Sequence, residues 1–249
     1  LSMQPLLAKL NYLQRLIGTA LGFITFALGG LVFAVFFVPL IWLRHQDDEH
    51  RGRVLRRQIS KAFRWHVNLL RSMGVLEYRL HHGDRLHGGQ LIIANHPTLL
   101  DIVFLVGFIE NAVCVVKDQL FHNFWIGFVI RMANYISNKS SEQGPEQLIS
   151  QSIAALQRGE SVIIFPEGTR STPGQMSHLQ RGAAYIALQA QVRLTPIQIS
   201  CVPSSLTKAE PWYQIPPRKM QFDFVVGDEI EVGDETYEQL CRALVMVDI

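Results

Sequence analysis

The longest hydrophobic pattern lies near the start of the chain. From Leu16 to Leu43 there is no charged residue and no histidine. As one helix this stretch reaches about 42 Å, enough to cross a hydrocarbon layer of about 30 Å with tilt. Gly29-Gly30 and Pro39 allow a second arrangement, two short helices bent into a hairpin within one leaflet. Immediately after it, Leu55, Ile59, Phe63, Val67 and Leu70 recur at helical spacing, with arginines assigned to the other faces. Residues 44–66 carry seven basic side chains against Asp47, Asp48 and Glu49, the pattern of a basic amphipathic helix at an anionic membrane surface. That charge places this side, and the domain after it, in the cytoplasm.

Beyond Gly74 short apolar runs alternate with helix-like segments. Strands are predicted over 75–80, 91–94, 112–116, 135–137, 161–165, 194–200 and 221–226. Helices are predicted over 99–108, 121–132, 145–157, 178–189 and 236–245. This alternation predicts an α/β fold, a mostly parallel sheet flanked by helices, with an N-terminal membrane-embedded helical segment. The division expected is a membrane segment at 1–45, the basic helix at 46–73 and a larger domain at 74–249. Residues 203–218, with Pro203, Pro211, Pro216 and Pro217, read as an irregular excursion.

Charge and cysteine content narrow the class. A net charge of +2 gives no reason to expect nucleic acid as a partner. Cys114, Cys201 and Cys241 lie far apart, which argues against a disulfide framework and suits a reducing compartment. The segment HHGDRLHG, with His81, His82 and His87, reads as a turn bearing exposed histidines in preference to a metal site.

Two short segments carry candidate chemistry. In Asn95-His96-Pro97-Thr98-Leu99-Leu100-Asp101, Pro97 fits the first helical position, which puts Asp101 about a turn into the helix. Residues five apart on one helix point about 140° from each other, so His96 and Asp101 meet only if His96 lies outside it. A carboxylate beside an imidazole fixes its tautomer and stabilises the imidazolium formed on taking a proton. With nine histidines and nine aspartates in 249 residues, one such spacing arises by chance roughly a third of the time. The pair alone therefore also fits a helix-capping turn. The second segment, Phe165-Pro166-Glu167-Gly168-Thr169-Arg170-Ser171, follows a strand. Its glycine lets backbone N–H groups approach an anion, and Arg170 adds a fork of donors suited to phosphate. A plain turn with Glu167 paired to Arg170 is the competing reading.

Together, NHPTLLD at 95–101 and FPEGTRS at 165–171 resemble the glycerolipid acyltransferases, the 1-acyl-glycerol-3-phosphate acyltransferase family. Lys117-Asp118-Gln119-Leu120, Arg181-Gly182 and Leu194-Thr195-Pro196 look like that family's weaker blocks, in the same order. The resemblance implies transfer of a fatty acyl group from acyl-CoA or acyl carrier protein to a lysolipid hydroxyl at a membrane, for a bacterial chain the inner membrane. It implies His96 as general base, Asp101 as its orienting partner, and no metal or cofactor. Backbone N–H groups near Gly168 become candidates for the oxyanion site. It points to Lys117, Asn138, Glu167, Gly168, Thr169 and Arg170 for substrate binding, and to Phe104, Phe108, Phe124 and Phe128 as core or acyl-groove residues. One position departs: Asn138 stands where the family carries an arginine thought to contact the acceptor's phosphate, with Lys139 next. Asparagine donates a hydrogen bond but carries no charge, so a lysolipid other than lysophosphatidic acid becomes credible. A non-catalytic lipid-binding protein of the same fold is the alternative. A hydrolase ranks last, since there is no Gly-x-Ser-x-Gly elbow.

Overall fold

A computed structural model describes residues 4–123, 126–138, 144–168, 170, 182–207 and 211–231, with side chains from residue 7. The helix expected over 236–245, Cys241, Lys139, Thr169, Phe124 and Ser171 lie outside these residues.

The apolar run forms one continuous helical rod. Helix α1 (Gln4–Val32) passes through a π turn (Phe33–Phe37) into α2 (Val38–Arg44). Gly29 and Gly30 do not break it, so the hairpin arrangement is not adopted. The Val38 N–H reaches back to the Phe33 carbonyl. Pro39, which has no N–H to give, follows directly, and the wide turn accommodates it. By length and composition the stretch Leu7–Arg44 suffices to cross a membrane. Gly18, Thr19, Gly22, Val38 and Ile41 are buried on one side, while Leu10, Ile17, Leu21, Ile24, Leu28 and Leu43 are exposed on the other.

The buried side packs on α3 (Asp48–Ser72), whose first turn is capped by the Asp47 carboxylate accepting the His50 N–H at 2.6 Å. Gly18 and Gly22 permit the approach. A Cβ on Gly22 would lie 2.5 Å from Leu70 Cδ2, and one on Gly18 2.7 Å from Val75 Cγ2. Leu55, Ile59, Val67 and Leu70 turn inward as their spacing predicts. Arg56 does not follow its neighbours outward. It is 1 % exposed and its guanidinium pairs with Glu160, while donating to Asn111 Oδ1 and the Ala133 carbonyl, both at 2.9 Å. Position 56 flanks the inner stripe, so the residue fastens three loops instead of facing solvent. Burial lowers its pKa, and Glu160 opposes that shift.

The remaining chain forms β1 (Leu76–His81), β2 (Leu91–Ala94), α4 (Asp101–Phe108), β3 (Ala112–Lys117), α5 (Asp118–Phe121), α6 (Gly127–Met132), β4 (Ile136–Asn138), α7 (Gly144–Gln157), β5 (Ser161–Ile164), α8 (Gly182–Ala190), β6 (Leu194–Val202) and β7 (Met220–Val226). The strands make one seven-stranded sheet in the order β1-β7-β6-β2-β5-β3-β4. All neighbours are parallel except β6 and β7. The helix expected over 121–132 is thus two pieces, and α4 begins two residues later than predicted. His81 and His87 face Asp223 and Glu229.

Side chains alternate across the central strands. Ile92, Ala94, Cys114 and Ile163 join the layer built from α3 and α4, whereas Leu91, Ile93, Val113 and Ile164 join that of α7 and α8. Phe104 lies in the first layer, against Tyr78, Phe108, Phe222 and Phe224. It is therefore core. Burial pushes the Cys114 thiol up to about 12, so it packs as a small apolar group.

Two substitutions test this packing. Arg56→Ala leaves buried Glu160 with Arg158 alone, 3.0 Å from its other oxygen, and should cost about 3 kcal/mol in chemical denaturation, whereas Arg56→Met with Glu160→Gln should cost clearly less. Gly22→Val forces two methyls against Leu70 and should cost about 1–3 kcal/mol while making α1 easier to cut by protease.

Candidate active site

Strands β2 and β5 are neighbours, but their outgoing loops lead to helices on opposite faces of the sheet. A crevice opens between such loops at the carboxyl ends of the strands. NHPTLLD leaves β2 and FPEGTR leaves β5, so the two segments meet there.

Asn95 sets the exit from β2. Its amide nitrogen donates to the Ile199 carbonyl at 2.8 Å and its oxygen accepts the Ile199 N–H at 2.7 Å. The side chain thus prolongs the β2–β6 ladder by one rung. Residues 96–100 then form a non-helical turn, and Asp101 is the first residue of α4. Pro97 lies in that turn instead of the helix. Pro97 stands ahead of a reciprocal cap on α4, made by Thr98 and the Asp101 carboxylate. Its Oδ2 accepts the Thr98 N–H at 2.7 Å and lies 2.9 Å from His96 Nδ1, while its Oδ1 accepts the Thr98 hydroxyl at 2.6 Å. The Thr98 hydroxyl oxygen in turn accepts the Leu100 N–H at 3.2 Å.

Asp101 is fully buried beneath a His96 side chain that is 18 % exposed. Burial raises the Asp101 pKa, and the bonds from His96 and Thr98 pull it back. With Nδ1 directed at the carboxylate, Nε2 is the ring nitrogen that faces away from Asp101.

The β5 loop closes on the same histidine. The Phe165 ring stacks on the imidazole, centroids 4.2 Å apart and planes 20° from parallel. Glu167 Oε1 accepts the His96 backbone N–H at 3.2 Å. Gly168, at φ +65°, donates its own N–H to the Phe165 carbonyl at 3.0 Å. That N–H is committed to a turn, so Gly168 itself does not serve the oxyanion role expected nearby. The Glu167–Arg170 pair of a plain turn is not what forms. Arg170 Nη1 donates to the Leu206 and Thr207 carbonyls at 2.9 and 3.0 Å. The Leu206 carbonyl also accepts the Leu99 N–H at 3.2 Å. Leu206 adopts φ +56°, a left-handed backbone unusual for leucine, which turns that carbonyl toward both partners.

Lys117 and Asn138 end β3 and β4 at the same edge of the sheet, adjacent in register and exposed. At strand spacings near 4.8 Å they stand roughly 10 and 14 Å across from the end of β2. They do not touch His96. Sequence reasoning did not single out Phe165, Leu206 or the strand-extending role of Asn95. Only Asn95 left a signal, a polar amide directly after a fully apolar strand.

The chain has counterparts among known proteins. A family model described as "Acyltransferase" matches residues 76–200, half of the chain. A 1-acyl-sn-glycerol-3-phosphate acyltransferase of Pseudomonas aeruginosa is 32 % identical over 109 residues, covering 43 % of this chain and 42 % of that one. The human beta form is 25 % identical over 156 residues, 61 % of this chain and 55 % of its own. The chain thus spans about half the length of these relatives. The crystal structure of the 1-acyl-sn-glycerophosphate (LPA) acyltransferase PlsC from Thermotoga maritima shares the fold, with a TM-score of 0.68 at 19 % identity over 93 % of this chain and 92 % of that one. With its matched segment running from β1 to β6 and both loops inside it, the chain belongs to the acyltransferase family.

Proposed function

We propose that this protein transfers a fatty acyl group from a thioester, acyl-CoA or acyl carrier protein, to the hydroxyl of a lysolipid at a membrane. The observation that carries the reading is the His96–Asp101 pair at 2.9 Å, with the carboxylate buried and the imidazole partly open. In the proposed step His96 Nε2 takes the proton of the acceptor hydroxyl as that oxygen attacks the thioester carbonyl. The tetrahedral intermediate collapses by breaking the carbon–sulfur bond, and the imidazolium returns the proton to the leaving thiolate. An ester and a free thiol result. The step as proposed uses no acyl-enzyme, metal or cofactor. Ionised Asp101 holds the productive tautomer and offsets the transient positive charge.

The relatives are named for an acceptor bearing a glycerol phosphate, which supports lysophosphatidic acid or a related lysolipid here. Arg170 would bring its charge to that phosphate from the crevice while Nη1 stays on the two carbonyls, and Lys117 would reach a more distant anionic group. Glu167, Gly168 and Thr169 would shape the loop around it. Asn138 in place of an arginine weakens charge at one end of this surface. Because α1 is fastened along α3, its exposed apolar stripe would lie in one leaflet and seat the domain on the cytoplasmic face.

Transfer of labelled acyl groups from acyl-CoA and acyl carrier protein to a panel of lysolipids, with products identified by mass, tests the reading. His96→Ala should abolish transfer while the fold persists, and Asp101→Asn should lower the rate by about a hundred- to ten-thousand-fold. Wild-type activity in His96→Ala would end the assignment of His96 as base, and no transfer by the wild type from either donor would favour a non-catalytic lipid-binding protein.

Asp101 also makes a pH prediction. Its folded pKa lies above the ordinary value of 3.8, so the protonated form favours folding and that contribution fades as pH rises from the ordinary value through the raised one. Relative to Asp101→Asn, the wild type should therefore lose stability across that window in denaturation series. A flat difference would contradict the assignment.

A further inference from the structure

The excursion between β6 and β7 remains unexplained by the catalytic step. It is tied at two places. On one side the Leu206 carbonyl holds the Leu99 N–H and Arg170. On the other, Arg15 of α1 donates to the Pro217 carbonyl at 2.8 Å and the Pro216 carbonyl at 3.4 Å. Between these ties the Gln214 N–H closes a turn on the Pro211 carbonyl at 3.0 Å, which puts Trp212 and Tyr213 at its two corners. Ile215 is buried beneath them. The two aromatic rings meet edge to face, yet they are 46 % and 60 % exposed. A pair that size left in water gives up apolar burial for nothing within the fold.

Its surroundings indicate the occupant. Trp212 lies 5.8 Å from Phe23 of α1, a half-buried ring about 100° round the helix from Ile24 on the outward stripe. Arg15 stands where the uncharged run begins, the level at which a cation reaches lipid head groups. Tryptophan and tyrosine collect at that depth, where one end of the ring system is apolar and the other wet.

We propose that residues 211–217 form an aromatic strap seated at the bilayer interface, continuous with the outward stripe of α1, and that through Leu206 it positions the catalytic loop when lipid is engaged. The strap rests on the reading that this stripe meets a membrane, and the experiment separates the two. The probe is full-length protein with Trp42, Trp65 and Trp125 changed to Phe, mixed with phosphatidylethanolamine–phosphatidylglycerol vesicles carrying brominated acyl chains. Flotation reports membrane binding, and Trp212 emission reports the strap. Flotation with a blue shift and stronger quenching by shallow than by deep bromines supports the proposal. Flotation with unchanged emission overturns the strap and leaves the membrane reading intact; no flotation overturns both.

The coupling has its own readout. Trp212→Ala with Tyr213→Ala should lower transfer to a vesicle-embedded acceptor roughly tenfold, equivalent to about 1.4 kcal/mol, while a short-chain water-soluble acceptor is acylated at the wild-type rate. Equal loss on both acceptors would reveal a structural role instead, and no loss on either would refute the coupling.

Discussion

A carboxylate placed wholly out of water beneath a partly open imidazole is costly unless it is surrounded by donors. Asp101 meets that condition through the Thr98 N–H, the Thr98 hydroxyl and the His96 ring. The local backbone follows from it. The turn at 96–100 is held by bonds to the Asp101 side chain, and that carboxylate together with Thr98 caps the start of α4. The rest of the crevice then encloses His96: Phe165 covers one ring face, Glu167 holds its backbone, and Asn95 fixes the strand below. Charge, ring stacking and a strand-like amide pair converge on one side chain from three strands that are distant in sequence.

The two segments with chemical character therefore do more structural work than their residue types advertise. Glu167 and Arg170 suggest a binding loop, but both also fasten neighbouring loops to the histidine turn, one through a backbone N–H and the other through two carbonyls. Substitution of either would disturb His96 as well as any anion nearby. This dual use explains why a short motif after β5 stays in register with one after β2, although neither is adjacent in the chain.

Much of this organisation was legible in the sequence because it depends on period and order. The four-residue apolar runs of β2 and β5, the stripe from Leu55 to Leu70 and the uncharged run to Leu43 each bury or expose the face their spacing dictates. What escaped were features set by a single long-range partner. Arg56 reads as another outward arginine until Glu160, more than a hundred residues on, draws it inside. Pro97 reads as a helix start until Thr98 and Asp101 cap the helix beyond it. Leu206 has no local signature, since its left-handed backbone is dictated by Leu99 and Arg170. The early apolar run was ambiguous for a different reason: length and hydropathy do not report that Gly18 and Gly22 let α3 hold the helix along one side.

The most direct test of the account is the protonation state of one ring. In protein labelled with 15N-histidine, with the resonance assigned by its loss in His96→Ala, neutral His96 should carry its proton on Nδ1, bonded to Asp101, and leave Nε2 as acceptor. Asp101→Asn should remove that preference while the other histidines stay unchanged. A neutral His96 protonated on Nε2 in the wild type would contradict the assignment of this nitrogen as the base.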